Sequence, residues 1–442
     1  MAQKAASRPR LIQAMIDAFS LPDLRKRLLI TFGILVVFRF MAHVPVPGVD
    51  AAVLQVYLGS NPLLGMLDLF SGGALQNFSL AAMGVYPYIT ASIIITLMTP
   101  VLPPLQRLAG EGESGRKRIS AITHWLMIPL AGLQGYAQLT LLRNAGAIAS
   151  GDMLATVAIV LSLIAGSMFL VWLGEQITQY GIGNGISIII FAGIMASLPT
   201  QIGQGYFVGQ EGEIAGLIVF VILALVTAYA IVIFTEAHRR IPVQYAKSVF
   251  RGGRMYRQSG ASHIPMRVNT AGMIPLIFSM AMVTFPGVIA QWFGGSMNGT
   301  GIASGIYRTF SPGTPLPQGL VYWGLYFLLV VGFAFFYTTV IFQQQDLPNV
   351  LQRQGGFVPG IRPGKQTSEY LNGVIMRITW AGALFLAIIA IVPFMAQLVT
   401  PGVAQVITLS SSGMLISVGV VLDTMKQMEA QLAMRRYEGF LK

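Results

Sequence analysis

Residues 61–76, N-P-L-L-G-M-L-D-L-F-S-G-G-A-L-Q, are too apolar for a solvated loop and too short to cross a bilayer. A run of about 10–14 apolar residues is more often re-entrant or buried than spanning. Asn61-Pro62 marks its start and Gly72-Gly73 a flexible stop. Non-helical backbone at membrane depth is tolerated only inside protein or beside a water-filled cavity, so the segment predicts a short helix that folds back into the protein from outside. A helix lying on the membrane interface is the alternative.

On both sides of this segment the chain consists of apolar runs of spanning length. Charged residues make up 10% of the chain and hydrophobic residues 54%, which excludes a soluble globular protein. A helix needs about 20 apolar residues to cross the bilayer. Ten such runs start near Leu28, Phe78, Ile122, Met153, Ile182, Ile214, Thr270, Leu320, Val374 and Val406. The sequence therefore predicts an all-α polytopic membrane protein.

Positive charge is concentrated in alternate connections between these runs. Of the 28 Lys and Arg, all but Arg39, Arg143, Arg308 and Arg377 lie in the termini or in the second-to-third, sixth-to-seventh and eighth-to-ninth connections. Because Lys and Arg are retained on the cytoplasmic face, both termini are predicted to be cytoplasmic. The net charge of +12 favours an anionic partner, with lipid headgroups as the alternative.

Ten spans divide into two groups of five, separated by a long connection at 199–213. Since five is odd, the second group enters the membrane with opposite polarity, which is the topology of an inverted repeat with a working path between the halves. The predicted domains are an N-terminal half at 1–198 and a C-terminal half at 214–442. This division rests on counting spans, because no residue-level repeat is visible.

Two sets of residues within the predicted spans are candidate sites. The first set consists of isoleucines, six of them spaced three or four apart in pairs: Ile89, Ile93, Ile186, Ile190, Ile274, Ile277 and Ile416. Converging isoleucine faces would form an apolar collar that gates ions by dewetting, whereas contact with lipid is the alternative. The second set, Thr90, Gln134 and Asn269, indicates either hydrogen bonds between helices or a weak polar seam between helices that separate.

Two cytoplasmic connections, 236–268 and 343–370, are longer than orientation in the membrane requires. In the first, β-branched and aromatic residues alternate with basic ones, which predicts a projecting hairpin. In the second, Arg362 lies between a Gly-rich turn and Pro363, so its position is predicted to be fixed. Arginine-rich projecting loops suit phosphate and nucleic acid or an acidic protein surface, and lipid headgroups are again the alternative.

The sequence carries no motif that indicates catalysis. It has no cysteine, no H-E-x-x-H, no paired carboxylates and no nucleophile–base arrangement. The stretch G-I-R-P-G-K at 360–365 lacks the glycine spacing of a phosphate loop. Charged residues deep in the spans are few, Arg39 being the clearest, which argues against an ion-coupled pump. We therefore expect neither enzymatic activity nor a metal or other cofactor.

The chain resembles the SecY family of bacterial protein-conducting channels from about Leu21 to Leu441. The matching stretches, in the family's order, are L-F-S-G-G-A-L, P-Y-I-T-A-S-I-I-I, E-G-E-S-G-R-K-R-I-S, W-L-G-E-Q-I-T, G-I-G-N-G-I-S-I-I-I-F-A-G-I, A-G-M-I-P, F-V-P-G-I-R-P-G and R-R-Y-E-G. The resemblance implies ten transmembrane helices in two pseudo-symmetric inverted five-helix halves, arranged as a clamshell around an hourglass pore.

The resemblance also implies roles for the candidate residues. The isoleucines become the pore ring, with Ile186 and Ile274 adjacent to the matching positions, and Thr90, Gln134 and Asn269 become polar positions of the lateral gate. Residues 61–75 become the plug, and its apolar side chains are Leu63, Leu64, Met66, Leu67, Leu69 and Phe70.

The two long loops resemble the family's docking site for the ribosome, including its RNA, and for the motor ATPase SecA. The basic residues implied are Arg239, Arg240, Lys247, Arg251, Arg254, Arg362 and Lys365. Some members have two adjacent arginines before V-Y, whereas here Gly253 precedes Arg254, which leaves open whether Arg251 substitutes for the missing arginine. Further implied partners are the small membrane subunits SecE and SecG, signal sequences, nascent polypeptides and lipid.

The function that the resemblance implies is that of the central channel subunit of the Sec translocase in the bacterial plasma (inner) membrane. Such a channel passes unfolded polypeptides and releases hydrophobic segments sideways into lipid. Two other classes are weaker explanations. A secondary transporter predicts a polar pocket at mid-membrane and few large cytoplasmic loops, and an assembly factor without a pore gives no reason for the re-entrant segment.

Overall fold

The computed structural model is mostly helical over the residues that it describes. These residues are 21–46, 49–50, 53–54, 57, 64, 68, 71–144, 146–148, 152–210, 214–251, 254–272, 274–295, 299–312, 314, 317–345, 347–362, 364–399, 413 and 416–431.

Helices and three strands follow one another along the described chain. In order they are α1 (Pro22–Met41), α2 (Tyr86–Met98), α3 (Pro103–Gly110), α4 (Glu113–Asn144), α5 (Met153–Tyr180), α6 (Gly185–Gln210), α7 (Ile214–Glu236), β1 (His238–Arg251), β2 (Arg254–Arg267), α8 (Ile274–Trp292), α9 (Ile302–Thr309), α10 (Gly319–Gln345), α11 (Leu347–Arg353), β3 (Gly356–Phe357), α12 (Lys365–Val399) and α13 (416–431). Each of the ten predicted apolar runs overlaps one of these helices.

Several helices are long and apolar enough to cross a membrane. Within the described residues four stretches meet this test of length and composition: Met153–Tyr180, Ile274–Trp292, Gly319–Arg353 and Lys365–Val392. Helices α2 and α3 meet it as a pair, bent by 97° at the break between them. Several apolar helices of this kind are typical of a multi-pass membrane protein.

The second apolar run begins differently from its prediction. Helix α2 starts at Tyr86 and not near Phe78, because the intervening backbone turns. Phe78 has a φ of 40° and Gly84 a φ of 55°, and neither value fits an α-helix. Ser79 pairs with Pro45 in an isolated antiparallel bridge. The first part of this run is therefore an irregular segment tied to the end of α1.

The described chain forms two compact units. The first contains the described parts of Met1–Ile94, Ala121–Phe207 and Ile416–Lys442, and the second those of Ile95–Ser120 and Val208–Leu415.

The core of the first unit lies where α4 and α5 pack on the irregular segment before α2. Leu75 and Phe78 are completely buried and belong to one apolar cluster with Leu139 of α4 and Leu163 of α5. Gly166 lets α5 come close to this segment, since a Cβ there would lie 1.9 Å from the carbonyl oxygen of Leu80. Close approach through small residues is typical of membrane helices. The segment is thus enclosed by backbone as well as by side chains.

The second unit contains a three-stranded antiparallel sheet with the order β2-β1-β3. Strands β1 and β2 form a hairpin of 14 residues each, with Arg251 opposite Arg254 at its tip, so the predicted hairpin is confirmed. Strand β3 comes from the other long loop and pairs through Phe357 with Gln244 of β1. The two loops that the sequence separates by about a hundred residues are therefore one folded body.

The apolar face of this sheet is covered by residues of the second loop. Ile241 and Val243 of β1 are buried with Leu351 of α11, Val358 after β3 and Leu371 of α12. Gly356 lies against the ring of Tyr245, where a Cβ would come 2.8 Å from Cε1. The hairpin base is consequently anchored at the start of α12.

Candidate functional site

Arg362 lies on an exposed turn between β3 and α12. The amide of Ile361 donates to the carbonyl of Val358 at 3.1 Å, and Thr367 Oγ1 donates to the carbonyl of Arg362 at 2.9 Å. Gly360 and Gly364 adopt φ values of 83° and 104°, in the left-handed region that favours glycine. The turn therefore fixes the backbone of Arg362 while its side chain stays exposed to solvent.

The other predicted docking residues lie on the same folded body. Arg239 and Arg240 at the hairpin base are exposed, as is Lys365 at the start of α12. Strands β1 and β2 contain three further predicted residues, whose side chains are outside the described part of the structure: Lys247, Arg251 and Arg254. The exposed basic residues of both loops thus lie on one folded body, and we call Arg239, Arg240, Arg362 and Lys365 the basic loop surface.

Four of the predicted ring isoleucines are buried by protein. Ile89, Ile93, Ile190 and Ile416 all belong to the first unit and are between 2% and 7% exposed. Such burial does not fit the alternative that these four side chains face lipid.

The remaining three isoleucines are partly exposed. Ile274 and Ile277 lie on α8 in the second unit. Ile186 packs on α5, since a Cβ added to Gly174 would lie 3.0 Å from Cγ1 of Ile186. The convergence of all seven on one collar remains a prediction.

The three predicted polar seam residues have different surroundings. Thr90 Oγ1 donates to the carbonyl of Tyr86 within its own helix at 3.0 Å. Asn269, just before α8, is 9% exposed. Gln134 on α4 has a buried Oε1 without a hydrogen-bond partner. A buried acceptor without a donor costs free energy, so Gln134 is the residue of this set whose hydrogen-bonding capacity is least satisfied.

The predicted re-entrant segment is described at Leu64, Asp68 and from Ser71 onward. Leu64 is 3% exposed and packs in the core of the first unit. Gly72 and Gly73 have φ values of 72° and 79°, so the predicted stop of the segment is a left-handed turn. Five predicted residues lie outside the described residues: Leu63, Met66, Leu67, Leu69 and Phe70.

Asp68 holds the end of this segment and was not among the residues predicted from the sequence. Its Oδ1 accepts the amides of Leu75 at 3.0 Å and Gln76 at 3.2 Å, and its Oδ2 accepts Nε2 of Gln76 at 2.7 Å. Ser71 Oγ lies 3.3 Å from Oδ1 and also accepts the amide of Leu75. The carboxylate is only 6% exposed, and a carboxylate at such depth needs partners of this kind. An aspartate four residues before Gly72-Gly73 in an otherwise apolar stretch was the available signal.

Replacing Asp68 with alanine should loosen this turn. Buried donors that lose their acceptor cost about 1–3 kcal/mol each, so we expect amide hydrogen exchange at Leu75 and Gln76 to accelerate roughly tenfold or more. Asp152→Ala is the matched control, because the Asp152 carboxylate makes no capping hydrogen bond to α5. Unchanged protection of both amides in the Asp68 variant would contradict this role.

A second contact holds the same turn from α1. Arg39 Nη1 donates to the carbonyl of Gly72 at 2.9 Å, across 33 residues of sequence. Phe38, beside it, is 1% exposed, and a Cβ on Gly72 would lie 3.1 Å from its Cζ and 2.6 Å from Cα of Gly193 on α6. The turn therefore packs closely between α1 and α6. Sequence reasoning singled out Arg39 only as a charge inside a span.

Metal binding finds no support in the part of the chain that the structure describes. There, no three or more His, Asp or Glu side chains lie close enough together to hold a metal ion.

Sequence comparison places the chain among known proteins. The sequence model of the SecY family matches residues 79–425. The chain is 42% identical to the protein translocase subunit SecY of Streptomyces lividans, over 98% of this chain and 100% of that protein. It is 40% identical to the subunit of the same name from Thermotoga maritima, over 97% of this chain and 98% of that protein.

Structural comparison gives the same fold. A solved structure described as a protein conducting channel matches with a TM-score of 0.65 and 18% identity, covering 94% of this chain and 96% of that chain. Sec61 in a canine ribosome–channel complex from the endoplasmic reticulum matches with a TM-score of 0.62 and 17% identity, with the same coverage.

Proposed function

Because this chain belongs to the SecY family of protein translocase subunits, we propose that it is the central channel subunit of the Sec translocase. The observation that carries this function is full-length similarity at about 40% identity to subunits of that name. The family consists of channel subunits and not of enzymes. The channel passes unfolded polypeptides across the membrane and releases hydrophobic segments sideways into lipid.

The proposed architecture has ten transmembrane helices in two inverted halves, 1–198 and 214–442, hinged at 199–213. Both termini face the cytoplasm, and the membrane is the bacterial plasma membrane. The distribution of Lys and Arg supports this orientation, because the loops that carry them are retained on the cytoplasmic side.

A channel solves a specific physical problem for the moving polypeptide. Each unpaired backbone group costs several kcal/mol in hydrocarbon, so an extended chain cannot cross lipid. The proposed pore supplies water above and below a short apolar waist formed by the seven isoleucines. A waist of this kind excludes ions by dewetting when it is empty, and the plug at 61–75 closes it at rest.

Lateral release depends on partition between the pore and lipid. A signal sequence or nascent span is long and apolar, so it gains free energy by leaving for the bilayer, whereas a polar segment does not. The proposed exit is the seam lined by Thr90, Gln134 and Asn269. Polar contacts at such a seam are weak, about 0.6 kcal/mol each on average, which suits helices that must separate and close again.

The basic loop surface is proposed to bind the partners that supply the energy for translocation. SecA and the ribosome, including its RNA, are the proposed partners there, and SecE and SecG are the proposed small membrane subunits. The exposure of Arg362 on a fixed turn supports this assignment, because electrostatic docking requires a charge that reaches the partner without reorganisation.

Deleting residues 61–73 tests the channel directly. We expect the intact protein, with its small subunits in a planar bilayer, to conduct few ions and the deletion variant to leak, because the waist loses its plug. Single-channel conductance at rest is the measurement. A secondary transporter or a scaffold would remain silent in both forms.

Silence of both proteins would count against the channel unless the waist reseals itself. Addition of a signal peptide to the deletion variant separates these cases, since a self-sealing waist should open around the peptide while a scaffold stays silent.

A further inference from the structure

We propose that Arg39 is the residue that keeps the plug in its resting seat, through the hydrogen bond from its guanidinium to the Gly72 carbonyl. We call this contact the Arg39 latch. The inference rests on the proposed channel function for its consequence, but the contact itself belongs to the first unit alone.

The position of Arg39 is unusual for a charge in an apolar helix. It lies in the last turn of α1, where a cation is favoured by the partial negative charge of the helix C-terminus. That preference alone would be met by the carbonyls of α1 itself. Instead Nη1 reaches a carbonyl of the re-entrant segment, so the charge joins two elements that are distant in sequence.

The acceptor of this hydrogen bond, the Gly72 carbonyl, is suited to a contact that forms and breaks reversibly. Gly72 has no side chain and a φ of 72°, which turns its peptide at the end of the segment. The close approach of Gly193 and Phe38 leaves no room for a side chain at this position. A displacement of the plug that moves Gly72 therefore breaks the Arg39 hydrogen bond at the same time as it opens this packed contact.

Asp68 and Arg39 have different roles in this arrangement. The Asp68 carboxylate binds amides of the segment itself, so it preserves the shape of the turn whether or not the plug is seated. Arg39 binds the segment from another helix, so it stabilises only the seated state. A ligand of one state shifts the equilibrium toward that state, and here the ligand is a side chain of the channel.

Accessibility of a cysteine in the plug measures the latch. Leu64 is 3% exposed, and the natural chain has no cysteine, so Leu64→Cys places one thiol on the buried side of the segment itself. We expect Arg39→Met in this background to raise the labelling rate by an impermeant maleimide roughly ten- to a hundred-fold, the range of a lost hydrogen bond to a charged group. Arg39→Lys keeps the charge on a compact ammonium without the planar fork of the guanidinium, so its labelling rate should fall between those of the parent and Arg39→Met.

Two controls separate a latch from a general loss of structure. Leu170→Cys on α5 is completely buried at rest and should stay unlabelled in the Arg39 variants, whereas unfolding would expose both cysteines. Arg308→Met removes another arginine that donates to a backbone carbonyl, that of Gly299 in the second unit, and should leave Leu64→Cys protected.

Labelling of Leu64→Cys that differs less than two-fold between Arg39→Met and the parent would overturn the latch. Equal labelling of both reporter cysteines would overturn it as well, because Arg39 would then serve the fold. If deletion of 61–73 opens no conductance even with a signal peptide added, while Arg39→Met still exposes Leu64→Cys, the channel function fails and the latch stands. If the deletion leaks and Arg39→Met exposes nothing, the latch alone fails.

Discussion

Arg362→Glu is expected to lower SecA-driven translocation of a polypeptide roughly a hundred-fold or more while leaving the protein folded. Reversing a charge that contacts an acidic partner replaces attraction with repulsion, and such contacts are worth about 2–5 kcal/mol. The variant should fold, since the turn is held by the Ile361 amide and the Thr367 hydroxyl, which donate to backbone carbonyls, and not by the guanidinium. Translocation of a precursor into vesicles measures the effect.

Arg353→Glu is the matched control for this prediction. Arg353 is exposed at the end of α11 in the same loop and the substitution changes the net charge equally. If the effect came from the overall field of the basic loop surface, both variants would be impaired alike. Normal translocation by Arg362→Glu would remove Arg362 from the docking site.

Gly185→Ala is expected to destabilise the first unit by about 3 kcal/mol or more. A Cβ at this first residue of α6 would lie 1.7 Å from the carbonyl oxygen of Gly174 and 2.9 Å from Cβ of Ile177, both on α5. These are backbone and branched positions that cannot swing away, and overpacking of a rigid site costs about 1–3 kcal/mol or more. Thermal unfolding of the detergent-solubilised protein should occur at a clearly lower temperature.

The same substitution at Gly33 serves as the comparison. Gly33 is in the middle of α1, and a Cβ there would meet nothing within 4 Å, so Gly33→Ala should not lower the unfolding temperature. If Gly185→Ala unfolded at the same temperature as the parent and Gly33→Ala, the contact between α5 and α6 would have to be looser than these distances require.

The positions of the helices were accessible from the sequence, because apolar runs of spanning length reflect the solvent and not the neighbours. The start of α2 could not be predicted, since the residues from Phe78 to Val85 are as apolar as the helix that follows them. There the fold is set by the positive φ values of Phe78 and Gly84 and by the bridge from Ser79 to Pro45, and such tertiary features leave little trace in hydropathy.

The candidate sites could be predicted from the sequence to different extents. The hairpin was readable from alternation, and the fixed turn at Arg362 from its glycines, because both are local patterns. The pairing of β1 with β3 was not, as it joins residues about a hundred positions apart. For the same reason sequence reasoning singled out Arg39 as a charge inside a span without showing which group it binds, and it did not single out Asp68 at all.

The hairpin also has a mechanical consequence. Strand β1 begins two residues after α7 ends, β2 ends shortly before α8 begins, and the amide of Val268 closes the base on the carbonyl of Ala237. Fourteen extended residues at about 3.3 Å each make an arm of about 45 Å. Because its two strands lead directly into α7 and α8, a partner that pushed on the tip would pass that force to the ends of both helices.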